Sequence, residues 1–175
     1  MTEFGSGHSV RRVEDEPLLR GQGRFIDDIT FENEARAVFL RSPHAHARIT
    51  AIDIKMATAM PGVVAVYTGA DVKEAGLLGL PSLADKMFEF KRKDGTRRYK
   101  PEHPVLALDT VRHVGDAIAM VVAESIAEAK LAAEAIEIDY EVLPSTTNTS
   151  KAASAGSAQI FEEAPNNVTF DVTVG

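Results

Sequence analysis

At 175 residues, with 45% hydrophobic and 26% charged side chains, the chain has the makeup of a globular domain that can bury a core. Its 19 Lys and Arg against 26 Asp and Glu leave a net charge of −7, which disfavours non-specific binding to nucleic acid, whose phosphates require cationic partners. It has no cysteine, which excludes disulfides, thiolate nucleophiles, zinc knuckles and cysteine-ligated iron–sulfur clusters within these residues.

The first thirty residues are polar and aperiodic. Arg11-Arg12 is followed by Glu14, Asp15 and Glu16, where an export signal needs an apolar stretch of roughly 7–15 residues. No run approaches the roughly 18 apolar residues of a membrane span. A cytoplasmic location is expected. GQGRFIDD (Gly21 to Asp28) has no third glycine and no preceding strand, so it fails as a dinucleotide loop. An extended arm over residues 1–34, lying along a partner surface, is the reading that remains.

ARAVFLRS (Ala35 to Ser42) reads as a buried strand. ITAIDIK alternates so that Thr50, Ile52 and Ile54 share a face. KMATAM (Lys55 to Met60) is helix-prone and stops at Pro61-Gly62, and VVAVYTG (Val63 to Gly69) is a valine-rich strand. Strand, helix, strand is the order of a crossover unit. From Asp71 to His103 the text changes character: GLLGLPSLAD is glycine- and leucine-rich, and KRKDGTRRYK (Lys91 to Lys100) is a basic cluster around an Asp-Gly turn. It reads as a solvated loop or hairpin tip, rather than a nucleic-acid patch, that could still meet an acidic partner surface.

PVLAL and AIAMVVA (Ala117 to Ala123) are predicted strands joined by turn chemistry at Gly115-Asp116. Ser125 and Glu128 fit a capping box, each side chain capping the other's backbone donor. The helix that follows carries Ile126, Ala129 and Ala133 on one stripe. In IEIDYEVLP, Ile136, Ile138, Tyr140 and Val142 alternate with Glu137, Asp139 and Glu141, which predicts a half-exposed strand stopped by Pro144. Residues 35–144 thus form the predicted domain. Residues 145–175 hold a linker from Ser145 to Gly156 and a final strand, NVTFDVTV, which gives the chain the look of a truncated piece.

The chemistry-bearing residues are sparse. His44 and His46 in SPHAHARI lie two apart, so in an extended strand both would face one side and could supply half a metal site. The nearest further ligands are Asp27 and Asp28; His8, His103 and His113 have no ligand spacing. The alternative is that Pro43 breaks the strand and the rings make turn or interface hydrogen bonds. Asp27-Asp28 and Glu162-Glu163 are mere sequence neighbours, and Ser42 and Ser125 lack a nucleophile elbow. No catalytic, cofactor-binding or metal-binding residue is assigned.

In order along the chain, GQGRFIDDI, RSPHAHARITAID, PGVVAVYTGADV and VRHVGDAIAMVVAES…AAEAIEIDYEVLP resemble the N-terminal part of the large subunit of molybdenum hydroxylases. That family comprises xanthine dehydrogenase, aldehyde oxidase and aerobic carbon monoxide dehydrogenase, and the resemblance runs from about Gly7 to the last residue. It implies an α+β fold of the α/β-hammerhead type, with a mixed sheet, two strand–helix–strand units and an extended N-terminal arm. The early start resembles the separate large subunit of the carbon monoxide dehydrogenase type. The resemblance implies a parent oxidoreductase that hydroxylates its substrate at a molybdopterin-type molybdenum cofactor. It places that cofactor and the catalytic glutamate in later domains, and the iron–sulfur clusters and FAD in other subunits or domains. The implied partners are the C-terminal molybdopterin-binding domains, the iron–sulfur and flavin subunits, and a second copy of the heterotrimer. Three readings stand: a non-catalytic scaffolding fragment, a free-standing interaction module, and a small metalloenzyme centred on His44 and His46.

Overall fold

The computed structural model describes residues 11–77, 79–80, 91–101, 103–169 and 171. Backbone contacts divide the chain into two compact units, residues 1–34 and 35–175. The first carries a one-turn helix, α1 (Asp15–Leu19), and a 3-10 turn, Ile26–Asp28. The Asp28 carboxylate accepts from the Phe25 N–H at 2.9 Å and closes that turn. The predicted extended arm is therefore interrupted by local turns. No helix among the described residues is long and apolar enough to cross a membrane.

The second unit contains β1 (Arg36–Arg41), β2 (Ala47–Asp53), α2 (Lys55–Thr58), β3 (Val63–Thr68), α3 (Gly69–Glu74), β4 (Thr110–Val111), β5 (Ala117–Ala123), α4 (Ile126–Glu134) and β6 (Glu137–Val142). These strands form two three-stranded sheets, β1-β5-β3 and β4-β2-β6. The α+β class stands, but the single mixed sheet does not: every pairing between strands is antiparallel. The two strand–helix–strand units are present in sequence, yet each helix leads from one sheet into the other. Two physical reasons account for this. Only nine residues, 54–62, separate β2 from β3, fewer than the dozen a parallel crossover needs. And β5 already has β1 on one edge and β3 on the other, so β6 finds no free edge there.

Three finer expectations change as well. A bulge between Ile49 and Ala51 moves β2 from one phase to the next, so Ala47, Ile49 and Ile52 face inward while Thr50 is exposed. PVLAL is not a strand; Leu106 and Ala107 are buried in irregular chain, with the Ala107 N–H bonded to the Ala117 carbonyl at 2.7 Å. The strand falls later, at β4, and the Gly115-Asp116 turn joins β4 to β5. Ile126 is 49% exposed, and the buried stripe of α4 is Ala129, Ala132 and Ala133, continued by Ile136. Those positions are spaced by three and four residues, one helical face.

Two hydrophobic clusters result. In the first, α4 lies on Val38, Leu40, Val66, Ala119, Val121 and Ala123 of one sheet; alanines on the helix let the backbones approach closely. In the second, Ala47, Ala107, Val111 and Ile118 meet Ile49, Ile52, Ile138 and Tyr140. The α4 N-terminus is capped as expected in part: the Glu128 N–H donates to Ser125 Oγ at 3.2 Å, and Ser125 Oγ donates to the Glu128 carboxylate at 2.7 Å. Gly62, in the turn before β3, has φ +76°, the left-handed region that favours glycine, and the movable end of the Glu128 side chain packs over it.

Residues 145–156, read from composition as a linker, carry no regular helix or strand and are bonded to the segment that follows them. Thr146 Oγ1 donates to the Ala158 carbonyl at 3.0 Å, and Asn167 Nδ2 donates to the Ala152 and Ala158 carbonyls at 2.9 and 2.8 Å. Half of the final strand, at residues 170 and 172–174, lies outside the described residues. Its described part begins in a 3-10 turn, Pro165–Asn167.

Candidate functional site

His44 and His46 do not sit on an extended strand. Pro43, Ala45 and His46 lie in bends between β1 and β2, so the spacing of two carries no shared face. His46 is 8% exposed, and its Nδ1 lies 2.8 Å from the Pro144 carbonyl. A carbonyl only accepts, so Nδ1 carries the hydrogen. His44 packs edge-on against Tyr140, ring centroids 4.7 Å apart at 67°. Burial pushes the Tyr140 phenol above its ordinary range, so it stays protonated. The two rings thus have different partners, both at the end of β6.

The residue at the centre of this turn is Ser42, 3% exposed. Its Oγ accepts from the His44 N–H and donates to the His44 carbonyl, each at 3.0 Å. Its backbone N–H and carbonyl bond to the Asp116 carbonyl and Gly115 N–H, each at 2.8 Å. The arrangement ties the β1–β2 turn to the β4–β5 turn and to the end of β6. It is a structural junction with its polar groups satisfied internally. Among the described residues no group of three or more His, Asp or Glu side chains could hold a metal ion. His103 pairs through its backbone with Leu80, and His113 Nδ1 lies 3.6 Å from Asp116; His8 lies outside the described residues.

The remaining candidates keep to local tasks. Ser125 caps a helix. Asp28 caps a turn, and the Glu162 carbonyl accepts from Gln159 Nε2 at 2.8 Å. The basic cluster is a hairpin: Lys91 and Arg97 bridge antiparallel around Asp94-Gly95, with Gly95 at φ +81°. Thr96 donates to Asp94 from hydroxyl and backbone and holds that carboxyl below its usual value; the hydroxyl and N–H of Thr68 do the same for Asp71 at the start of α3. A cleft of about 630 Å³ opens between α3 and the chain before β4, lined among others by Gly69, Lys73, Leu106, Arg112 and Phe161. The Arg112 guanidinium lies 4.8 Å over the Phe161 ring.

Two features escaped the sequence reading. Ser42 gave no signal, since a buried serine in a turn resembles an exposed one. The two-sided apolar character of β5 was visible: AIAMVVA has no polar residue at either parity.

With this geometry in view, the comparisons are informative. The family model described as aldehyde oxidase and xanthine dehydrogenase, a/b hammerhead domain, matches residues 20–144. The chain is 35% identical over 93% of its length to the nicotine 6-hydroxylase large subunit of Paenarthrobacter nicotinovorans, of which it covers 18%. It is 34% identical over 94% of its length to the carbon monoxide dehydrogenase large chain of Afipia carboxidovorans, again covering 18%. Among solved structures, quinoline 2-oxidoreductase from Pseudomonas putida superposes with a TM-score of 0.70 at 39% identity, over 88% of this chain and 18% of that one. The chain therefore spans less than a fifth of the length of these relatives.

Proposed function

The chain belongs to the aldehyde oxidase and xanthine dehydrogenase a/b hammerhead family, and on that premise we propose that it is the hammerhead portion of a molybdenum-hydroxylase large subunit, serving as scaffold and subunit contact. The parent is an oxidoreductase of the carbon monoxide dehydrogenase, aldehyde oxidase or xanthine dehydrogenase type, working in the cytoplasm. The observation that carries this reading is the coverage: nearly all of this chain aligns, against 18% of each of two relatives.

The residues present do not fit an iron–sulfur cluster, and the described ones offer no ligand set for a metal ion held directly by side chains. A molybdenum–pterin cofactor supplies oxygen-atom and electron transfer when bound, and iron–sulfur clusters need thiolates. This chain has no cysteine, and its described His, Asp and Glu side chains form no ligand cluster. No reaction step is therefore routed through these residues. The cofactor belongs to the C-terminal molybdopterin-binding domains of the same subunit, and the clusters and FAD to partner subunits or domains. The heterotrimer pairs with a second copy of itself.

The test is to express the complete reading frame with its neighbouring genes in molybdate-supplied cells. The expected product is a subunit several times longer than this chain that purifies with molybdenum and an iron–sulfur protein. A reading frame that ends with these residues, whose product is folded, monomeric and free of both, would instead support a free-standing interaction module.

A further inference from the structure

The outer face of the β1-β5-β3 sheet is apolar from edge to edge. Phe39, Met120 and Tyr67 stand opposite one another across the three strands, and Ala37, Val122 and Ala65 form the next row. Phe39 is 41% exposed and Tyr67 43%. Ala37 is exposed, while Ala65, Met120 and Val122 are half-buried. The opposite face of the sheet is already taken by α4. On the outer side, among the described residues of these strands, Ile118 at one end of β5 is fully buried, where it meets Ala107 and Val111.

A strand with water on one side alternates apolar and polar residues; one apolar at both parities is built to be covered on both faces. β5 is of the second kind, and among the described residues α4 covers one of its faces along its length. The other sheet shows how this fold finishes a solvated face: Arg48, Asp53, Glu137, Asp139 and Glu141 are all exposed there. Contiguous apolar surface of this kind marks a docking site.

We propose that these two cross-strand rows seat polypeptide from the rest of the large subunit, an inference that rests on the function proposed above. More than four-fifths of each relative named above lies outside the match, which supplies ample chain for the task. The occupant's chemistry follows from the face: an apolar surface with a carboxylate or carbonyl opposite Arg41. That guanidinium lies 5.8 Å over the Phe39 ring, donates to the Gly115 carbonyl at 2.9 Å, and sets one cation at the rim. A second copy of the same face carries no carboxylate in either row to meet it.

Hydroxyl-radical footprinting of the complete large subunit, beside the 175-residue chain alone, tests this. Oxidation of Phe39, Tyr67 and Met120 should fall by about tenfold or more in the complete subunit, because reactivity follows exposure. Phe39→Glu and Tyr67→Glu in the complete subunit should cut the yield of molybdenum-loaded enzyme by about tenfold or more, since each buries an unpaired charge. Asp139→Lys on the other sheet should leave that yield unchanged. The same two glutamate variants in the 175-residue chain should melt within a few degrees of the parent, which separates lost docking from lost folding. A molybdenum-loaded subunit whose face stays as reactive as in the isolated chain overturns the inference and leaves the proposed function standing. Protection in the isolated chain that vanishes on dilution overturns it in favour of a second copy. A complete gene product without molybdenum overturns the proposed function, and this inference with it.

Discussion

The two sheets of this domain are both antiparallel and three-stranded, yet their outer faces have opposite chemistry. Across β1-β5-β3 the outward row is Phe39, Met120, Tyr67. Across β2 and β6 it is charged: Arg48 stands opposite Glu141 and forms an ion pair with it, and Asp53 stands opposite Glu137. That like-charged pair is relieved by Lys55, whose backbone N–H and Nζ donate to Asp53 at 2.9 and 3.3 Å. One face is finished for water and the other for protein. The difference teaches that burial within this chain alone does not describe the role of each residue.

The largest effect should come where the apolar face is already covered. Ile118→Ala removes a fully buried side chain from the second cluster and should cost about 2–5 kcal/mol by urea denaturation. Met120→Ala, two residues along on the same face, should cost under about 1 kcal/mol in the isolated chain. Equal costs would break the distinction between covered and open ends. Gly69→Ala comes next. Its Cβ would lie 2.3 Å from the Ala107 carbonyl oxygen, so α3 and the covering segment must part; a loss of about 1–3 kcal/mol is expected in thermal melts.

Ser125→Ala tests the cover on the inner face. It removes the N-cap of α4 and should cost about 1 kcal/mol, most of it recovered by Ser125→Asp. The charged face should respond least: Arg48→Ala breaks an exposed ion pair worth at most about 1 kcal/mol, less at high salt. Acid should act there too. The backbone N–H and ammonium of Lys55 hold Asp53 below its usual value of 3.8. The resulting stability is therefore present above that value and is lost as pH falls below it, through the lowered pKa. Lys55→Met should shrink that acid-induced loss in melts recorded between neutral pH and strong acid.

Much of this was legible in the residues. β1, β3, β5, β6, the α4 cap and the Asp-Gly hairpin follow from alternation, valine content and turn chemistry, all local properties. What failed was non-local. Whether two strands joined by a helix share a sheet depends on which edges are free, and only the position of β5 between β1 and β3 decides that. The bulge at Thr50 depends on pairing with β6, so no period within β2 reveals it. For His44 and His46 the reading that Pro43 breaks the strand agrees with the bends there and with the bonds of Ser42 and His46. The open face was written in β5, whose apolar residues exceed what one helix can cover.

The most direct measurement is metal and pterin analysis of the purified 175-residue chain, together with assays on carbon monoxide, an aldehyde and a purine using an artificial electron acceptor. Neither stoichiometric molybdenum nor pterin, and no turnover, is the expected result. One equivalent of either, or any oxidation that a His44→Ala, His46→Ala double variant abolishes, would place chemistry inside this domain and contradict a purely supporting role.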